Sequence, residues 1–272
     1  MKIAAAIAVT ALLGIVAPVP GQGTLPKDAA WALEGGEGGY CISYLVDPDL
    51  AKTIVPSSTS LLPAGTGGDH PDLASYIKEE PRFAQWIPAQ ICIGFFQRVT
   101  SAGKTIAQGK PNKPIMIATS SIAAQGAHGV AGANAYLLDF MTSDRGVSNA
   151  ADAIGVDMST IELTEKAKLE GQDPTATLSF SGVQLSWNGH PIADSSVGKT
   201  RSVSFGYGGP KSASWLINIE TTPRSVRTLS AVLWVEGKNS LAKVLRASPG
   251  RPIGPYELGS TATITFHAVT HK

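Results

Sequence analysis

Cysteine is almost missing from this sequence: 272 residues carry two, Cys41 and Cys92. They stand too far apart for the close CxxC spacing of a redox or zinc site. In an exported chain two cysteines are most simply paired with each other. Closing that loop stabilises a fold by roughly 4 kcal/mol on the chain-entropy account. Charge is sparse as well, at 16% of residues, and aromatics make up 7%. Scarce aromatics argue against a transmembrane β-barrel, whose strands carry aromatic girdles. No stacking-aromatic motif is interleaved with basic residues, which argues against nucleic acid as a partner.

Long apolar runs are also lacking. The longest, residues 3–16 behind Lys2, has the length of a signal-peptide core and is too short to span a bilayer. Residues 1–23 are therefore expected to be a signal peptide, and the mature chain to be periplasmic or extracellular with no transmembrane span. About 250 residues remain, enough for one large β domain or two smaller ones.

Glycine, by contrast, is plentiful, and four of the five residues 35–39 are glycine. A phosphate loop would continue into Lys and Ser/Thr at a helix start. Here Tyr40, Cys41, Ile42 and Ser43 follow, which reads as a strand entered from a hinge. Apolar alternation and β-branched runs predict further strands at 90–99, 114–124, 134–142 and 160–169. Two helices are expected. One covers residues 70–80, capped by Asp69 and ended by Pro81. The other begins near residue 148 with Ser148 as its cap.

Beyond residue 170 the chain reads as nearly pure β. Val183, Leu185 and Trp187 share one face, and Asn188 with Gly189 is a favoured hairpin turn. Strands are expected at 200–207, 213–219, 226–236, 240–246 and 260–270. The fold class is thus mainly β, with an α+β N-terminal portion over 24–170. Residues 171–272 form a basic, antiparallel portion like a β-sandwich or jelly roll, and the two can be one continuous domain.

The near-neutral total conceals a division of charge. From Lys199 onward ten basic residues face three acidic ones, a net +7, while residues 24–198 carry −7. Basic strands lying beside acidic loops would neutralise this internally. A basic face of Lys199, Arg201, Arg224, Arg227, Lys243 and Arg246 would instead attract an anionic envelope polymer or lipid head group.

Motifs for chemistry are weak. His70 between Asp69 and Asp72 fits a helix cap better than a metal site. His267 and His271 on a strand would stand about 13 Å apart, too far to share an ion. Ser101 with Lys104, and Ser196 with Lys199, have Ser-x-x-Lys spacing, yet a glycine precedes each lysine and both read as turns. Trp187, Trp215 and Trp234 fit core packing better than a sugar platform. Ser148 lies in a loose relative of the nucleophile elbow, where His267 could serve as base and Asp194 as its orienter. No cofactor and no metal is implied. The sequence on its own points to an exported, non-enzymatic binding or structural protein, with a serine-type hydrolase built on Ser148 as the alternative.

Overall fold

The computed structural model describes residues 30–34, 36, 38–66, 77–101, 104–125, 135–153, 156–166, 175–195, 201–208, 214–221, 226–248, 253–258 and 263–271. The expected signal peptide, the 196–199 turn and most of the expected helix over 70–80 lie outside these residues. The fold is mainly β, as the alternation predicts.

Nine strands curl into a mixed half-barrel. In spatial order they are β7 (Ile115–Gln125), β4 (Ile87–Phe96), β2 (Gly38–Val46), β15 (Ile253–Leu258), β14 (Val226–Gly237), β11 (Val183–Ser195), β10 (Thr175–Phe180), β9 (Ser159–Lys166) and β8 (Ala135–Thr142). A further β7–β8 pairing returns the ladder to its first strand. Neighbours run antiparallel except β8 and β9, which meet in parallel at Met141 and Thr142.

The other end of β8 pairs in parallel with β12 (Arg201–Gly208) through Ala135 and Tyr136. From β12 a flanking sheet continues through β13 (Ser214–Thr221), β16 (Thr263–His271), β1 (Ala30–Glu34), β5 (Arg98–Ser101) and β6 (Lys104–Gln108). A two-residue strand, β3 (Ser60–Leu61), borders β7. One edge of β8 thus serves both sheets.

Alternation decides which side chains line the two cores. The inner face of the half-barrel gathers Ile42, Tyr44, Ile91, Ile122, Leu178, Leu185 and Trp187. Trp187 is 2% exposed, and Tyr40 reaches across to it with ring centroids 5.9 Å apart. Trp234, on the outer face of β14, is 52% exposed. The expected core role therefore holds for Trp187 and fails for Trp234. A second core, with Leu33, Phe96, Val99, Ile117, Leu137 and Phe140, lies between the flanking sheet and the outside of the β4–β7–β8 wall.

The hinge reading of the glycine run leads into β2 as expected. Its ladder with β4 sets Cys41 directly opposite Cys92, and the two form a disulfide with a Cα separation of 4.1 Å. Gly39 lets the strands close up there, since a Cβ on it would sit 2.1 Å from the carbonyl oxygen of Ile93.

Three local expectations are corrected. Residues 240–246 form a helix: α3 (Ser240–Ala247), following α1 (Pro48–Ala51) and α2 (Arg145–Ala153). The Asn239 side chain caps α3 by accepting from the Ala242 N–H at 2.9 Å, and Ala242, Val244 and Leu245 bury the inner stripe. Asn188 and Gly189 do not turn; both continue β11 against Val232 and Ala231 of β14. The hairpin turn is made by Ser181 and Gly182, between the paired Phe180 and Val183. Finally, α2 begins before Ser148, and its cap is Asp144, whose Oδ1 accepts from the Val147 N–H at 3.0 Å.

Candidate functional site

The sequence-derived candidates fall in separate places. Ser148 sits inside α2, with its N–H bonded to the Asp144 carbonyl at 3.1 Å, so no strand–turn–helix elbow forms at this residue. Asp194 belongs to β11 and His267 to β16, six positions apart in the strand order. Ser101 and Lys104 pair across the β5–β6 turn, as their turn reading requires.

Of the basic residues, Lys243 and Arg246 are exposed on α3, and Arg246 Nη1 donates to the Gly237 carbonyl at 2.7 Å. Arg201 belongs to β12. Arg227 occupies a ladder position between Asp194 of β11 and Glu257 of β15. Lys199 and Arg224 lie outside the described residues.

A polar cluster that no sequence motif announces lies on the inner wall instead. In a regular strand Asp139 would share the outward side of Leu137. The β7–β8 register shifts by one between Ser120 and Ser121, however, leaving Leu138 as an extra residue on β8. This bulge turns Asp139 to the inner face, directly opposite Ser120. Bulges re-aim side chains in this way and gather next to active sites.

The Asp139 carboxyl accepts two hydroxyls. Ser159 Oγ, at the start of β9, donates to Oδ1 at 2.7 Å, and Ser181 Oγ, from the β10–β11 turn, donates to Oδ2. The two hydroxyls are themselves 3.2 Å apart. Burial is the largest influence on this carboxyl and pushes its pKa above the usual carboxylate value. The Ser181, Ser159 and Phe140 N–H bonds pull it back, while the nearby Asp157 charge pushes it further up.

Opposite this carboxyl lies Ser120, whose hydroxyl adjoins that of Tyr44. Ser120 is 0% exposed, and Tyr44 is wholly buried among the inner apolar side chains. The Tyr44 hydroxyl and Ser120 Oγ adjoin each other, yet neither meets hydrogen-bonding geometry with any group. Burial drives the Tyr44 phenol far above its ordinary value, only partly offset by Ser120. Tyr136, three strands from Tyr44 across β4 and β7, is raised by burial too. Buried polar atoms are nearly always bonded, so an adjoining orphan pair calls for a reason.

The 181–182 turn also connects the two sides of the wall. It ends a shallow outer groove of ≈ 470 Å³, lined by Thr160, Glu162, Ser179, Gln184 and Glu236, while its Ser181 hydroxyl reaches the inner carboxyl. Every lysine whose side chain is described, from Lys52 to Lys243, is exposed. Among the described residues, then, the interior offers a carboxyl and hydroxyls rather than an amine. No group of three or more His, Cys, Asp or Glu with metal-ligand geometry occurs among them.

No family model matches the sequence, and no curated protein matches it. Solved structures do share the fold. An acetoacetate decarboxylase superposes over 91% of this chain and 91% of its own, with a TM-score of 0.51 at 12% identity. An acetoacetate decarboxylase-like enzyme from Sphingomonas wittichii RW1 covers 90% of this chain and 94% of its own, with a TM-score of 0.49 at 10% identity. The acetoacetate decarboxylase of Legionella pneumophila subsp. pneumophila str. Philadelphia 1 covers 94% and 93%, with a TM-score of 0.48 at 11% identity. The likeness is one of fold. It nonetheless overturns the expectation of a non-enzymatic binding or structural protein, because this architecture is one that an enzyme uses. The expectation rested on the lack of a contiguous motif. In the fold, chemistry-bearing groups arrive singly from β2, β7, β8, β9 and the β10–β11 turn.

Proposed function

We propose that the chain is an enzyme acting on a small carbonyl compound, a keto acid or close relative, by stabilising an enolate at the inner face of the half-barrel. The fold it shares with an acetoacetate decarboxylase supports this substrate class. The observation that carries the reading is the Asp139 carboxyl, raised by burial and set directly across from Ser120, whose hydroxyl and that of Tyr44 have no partner.

When a C–H bond next to a carbonyl gives up its proton, or a β-keto acid loses carbon dioxide, the bonding electron pair moves onto the carbonyl oxygen. Hydrogen-bond donors held at that oxygen in an apolar enclosure stabilise the developing charge and cost no reorganisation. A buried phenol with a neighbouring serine hydroxyl is a donor set of that kind. Tyr44 and Ser120 donate to the oxygen, and Asp139 supplies or takes the proton, with Ser159 and Ser181 orienting it. An imine route would need a lysine amine desolvated in an apolar pocket. The described lysines do not offer one. The disulfide between β2 and β4 supports an oxidising compartment, periplasmic or extracellular, for this enzyme.

The test follows α-deuterium wash-in and carbon dioxide release from acetoacetate, oxaloacetate and pyruvate by NMR. Exchange or release well above the buffer rate is expected for the wild type, reduced by about 100-fold or more in Asp139→Asn. Rates equal to buffer, rates unchanged in D139N, or a substrate adduct trapped on a lysine by borohydride would each sink the reading.

A further inference from the structure

Ser181 and Gly182 form a two-residue hairpin turn in which both residues have positive φ, +45° and +72°. Glycine adopts that region freely, whereas a serine there is uncommon and has to be held in place. Two groups hold it. Its hydroxyl is bound to Asp139, and its carbonyl accepts from Asn239 Nδ2 at 2.6 Å. The other end of the same Asn239 amide, Oδ1, accepts from the Ala242 N–H and starts α3. Backbone packing reinforces the junction: a Cβ on Gly237 would stand 2.7 Å from the Gly182 carbonyl oxygen and 2.9 Å from the Ala242 Cβ.

We infer that Asn239 is a positioning residue for the Asp139 carboxyl, acting through the 181–182 turn. It touches neither the carboxyl nor any group placed at the reacting oxygen. By clamping the Ser181 carbonyl to the first turn of α3, it keeps the Ser181 backbone in its unfavoured conformation and so keeps the hydroxyl on Asp139. This assigns a task to α3 beyond closing the apolar interior with Ala242, Val244 and Leu245. The role in turnover rests on the enolate reading above, whereas the structural link to Asp139 does not.

The sign of the effect follows from the hydrogen bond. Ser181 donates to the charged form of Asp139 and so favours it, against the pull of burial and of Asp157. Loosening the turn must therefore raise the carboxyl's pKa further. The full chain, labelled with 13C at the aspartate carboxyls, is titrated by NMR as wild type, Ser181→Ala, Asn239→Ser and the double variant. Serine caps a helix about as well as asparagine, so N239S retains α3 while losing the reach to the Ser181 carbonyl. Asn239→Thr is a second variant of the same design should N239S fold poorly.

N239S is expected to shift Asp139 upward by about half a unit or more, in the direction of S181A, and the double variant to titrate like S181A alone. A wild-type titration in N239S, or the same N239S shift persisting when Ser181 is already alanine, overturns the proposal. The titration reads Asp139 whether or not the protein turns over any carbonyl compound. Where it does, the pH optimum in N239S moves up with the carboxyl, and the wild-type optimum in that variant counts against the proposal.

Discussion

Ser120 and Asp139 stand directly opposite each other on β7 and β8, one wholly buried and without a hydrogen-bond partner, the other bound by two serines. An unsatisfied hydroxyl beside a carboxyl in an apolar wall is a poor way to build stability. It is a good way to keep donors ready for a charge that appears only during reaction.

The carboxyl sets a pH dependence of stability. Its pKa is raised on folding, so the folded chain holds this proton more tightly than the unfolded chain does. Between the ordinary value, 3.8, and the raised one, the folded state binds more protons, and stability falls as pH climbs through that window. Asp139→Asn removes the titration. Denaturant unfolding at a series of pH values from 3 to 7 is expected to show a shallower decline in D139N than in the wild type. Parallel curves would mean that Asp139 titrates alike in both states.

Tyr44→Phe separates stability from function. The phenol is buried and adjoins Ser120 Oγ without hydrogen-bonding geometry, so removing its oxygen removes a desolvation penalty and at most that weak contact. The variant should be as stable as the wild type or more so, by up to about 1 kcal/mol in urea unfolding. On the enolate reading it should also lose most of its exchange activity. A substantial loss of stability would show that the hydroxyl has a partner in solution.

Much of the scaffold is legible in the residues. Val183, Leu185 and Trp187 alternate into the core as their spacing requires, and two lone cysteines pair because β2 and β4 bring them face to face. The site is hidden for definite reasons. Asp139 has the parity of an outward residue, and only a bulge, which leaves no reliable mark in a single strand's sequence, turns it inward. Residues 240–246 are a short segment inside an otherwise β-rich stretch, and the helical spacing of Leu241, Ala242, Val244 and Leu245, with the Asn239 cap, decides it. The turn propensity of Asn188 and Gly189 is outweighed by the long ladder with β14, which runs on through both residues.

The disulfide lends itself to a direct measurement. It closes a loop with a sequence separation of 51, for which chain entropy gives about 4 kcal/mol. Because Cys41 and Cys92 are already ladder partners in the interior of β2 and β4, the native geometry should survive their replacement. The double variant Cys41→Ala/Cys92→Ala is expected to retain the same circular dichroism spectrum while losing roughly 3–4 kcal/mol in denaturant unfolding. A loss below about 1 kcal/mol would place these strands in contact in the unfolded chain as well.

Gly237→Ala probes the junction on which Asp139 depends. Gly237 has φ +134°, a conformation closed to side-chain-bearing residues without strain, and its missing Cβ is where the Gly182 carbonyl and Ala242 approach. An alanine there has to push away the turn's backbone, the start of α3, or both, since neither neighbour is the flexible end of a long side chain. The expected cost is about 2 kcal/mol or more in urea unfolding. The displaced turn should also draw the Ser181 hydroxyl off Asp139, so the carboxyl's pKa rises in the folded variant for the same reason as in S181A. An unfolding midpoint and an Asp139 titration both equal to wild type would mean that the turn and α3 meet less closely than these distances state.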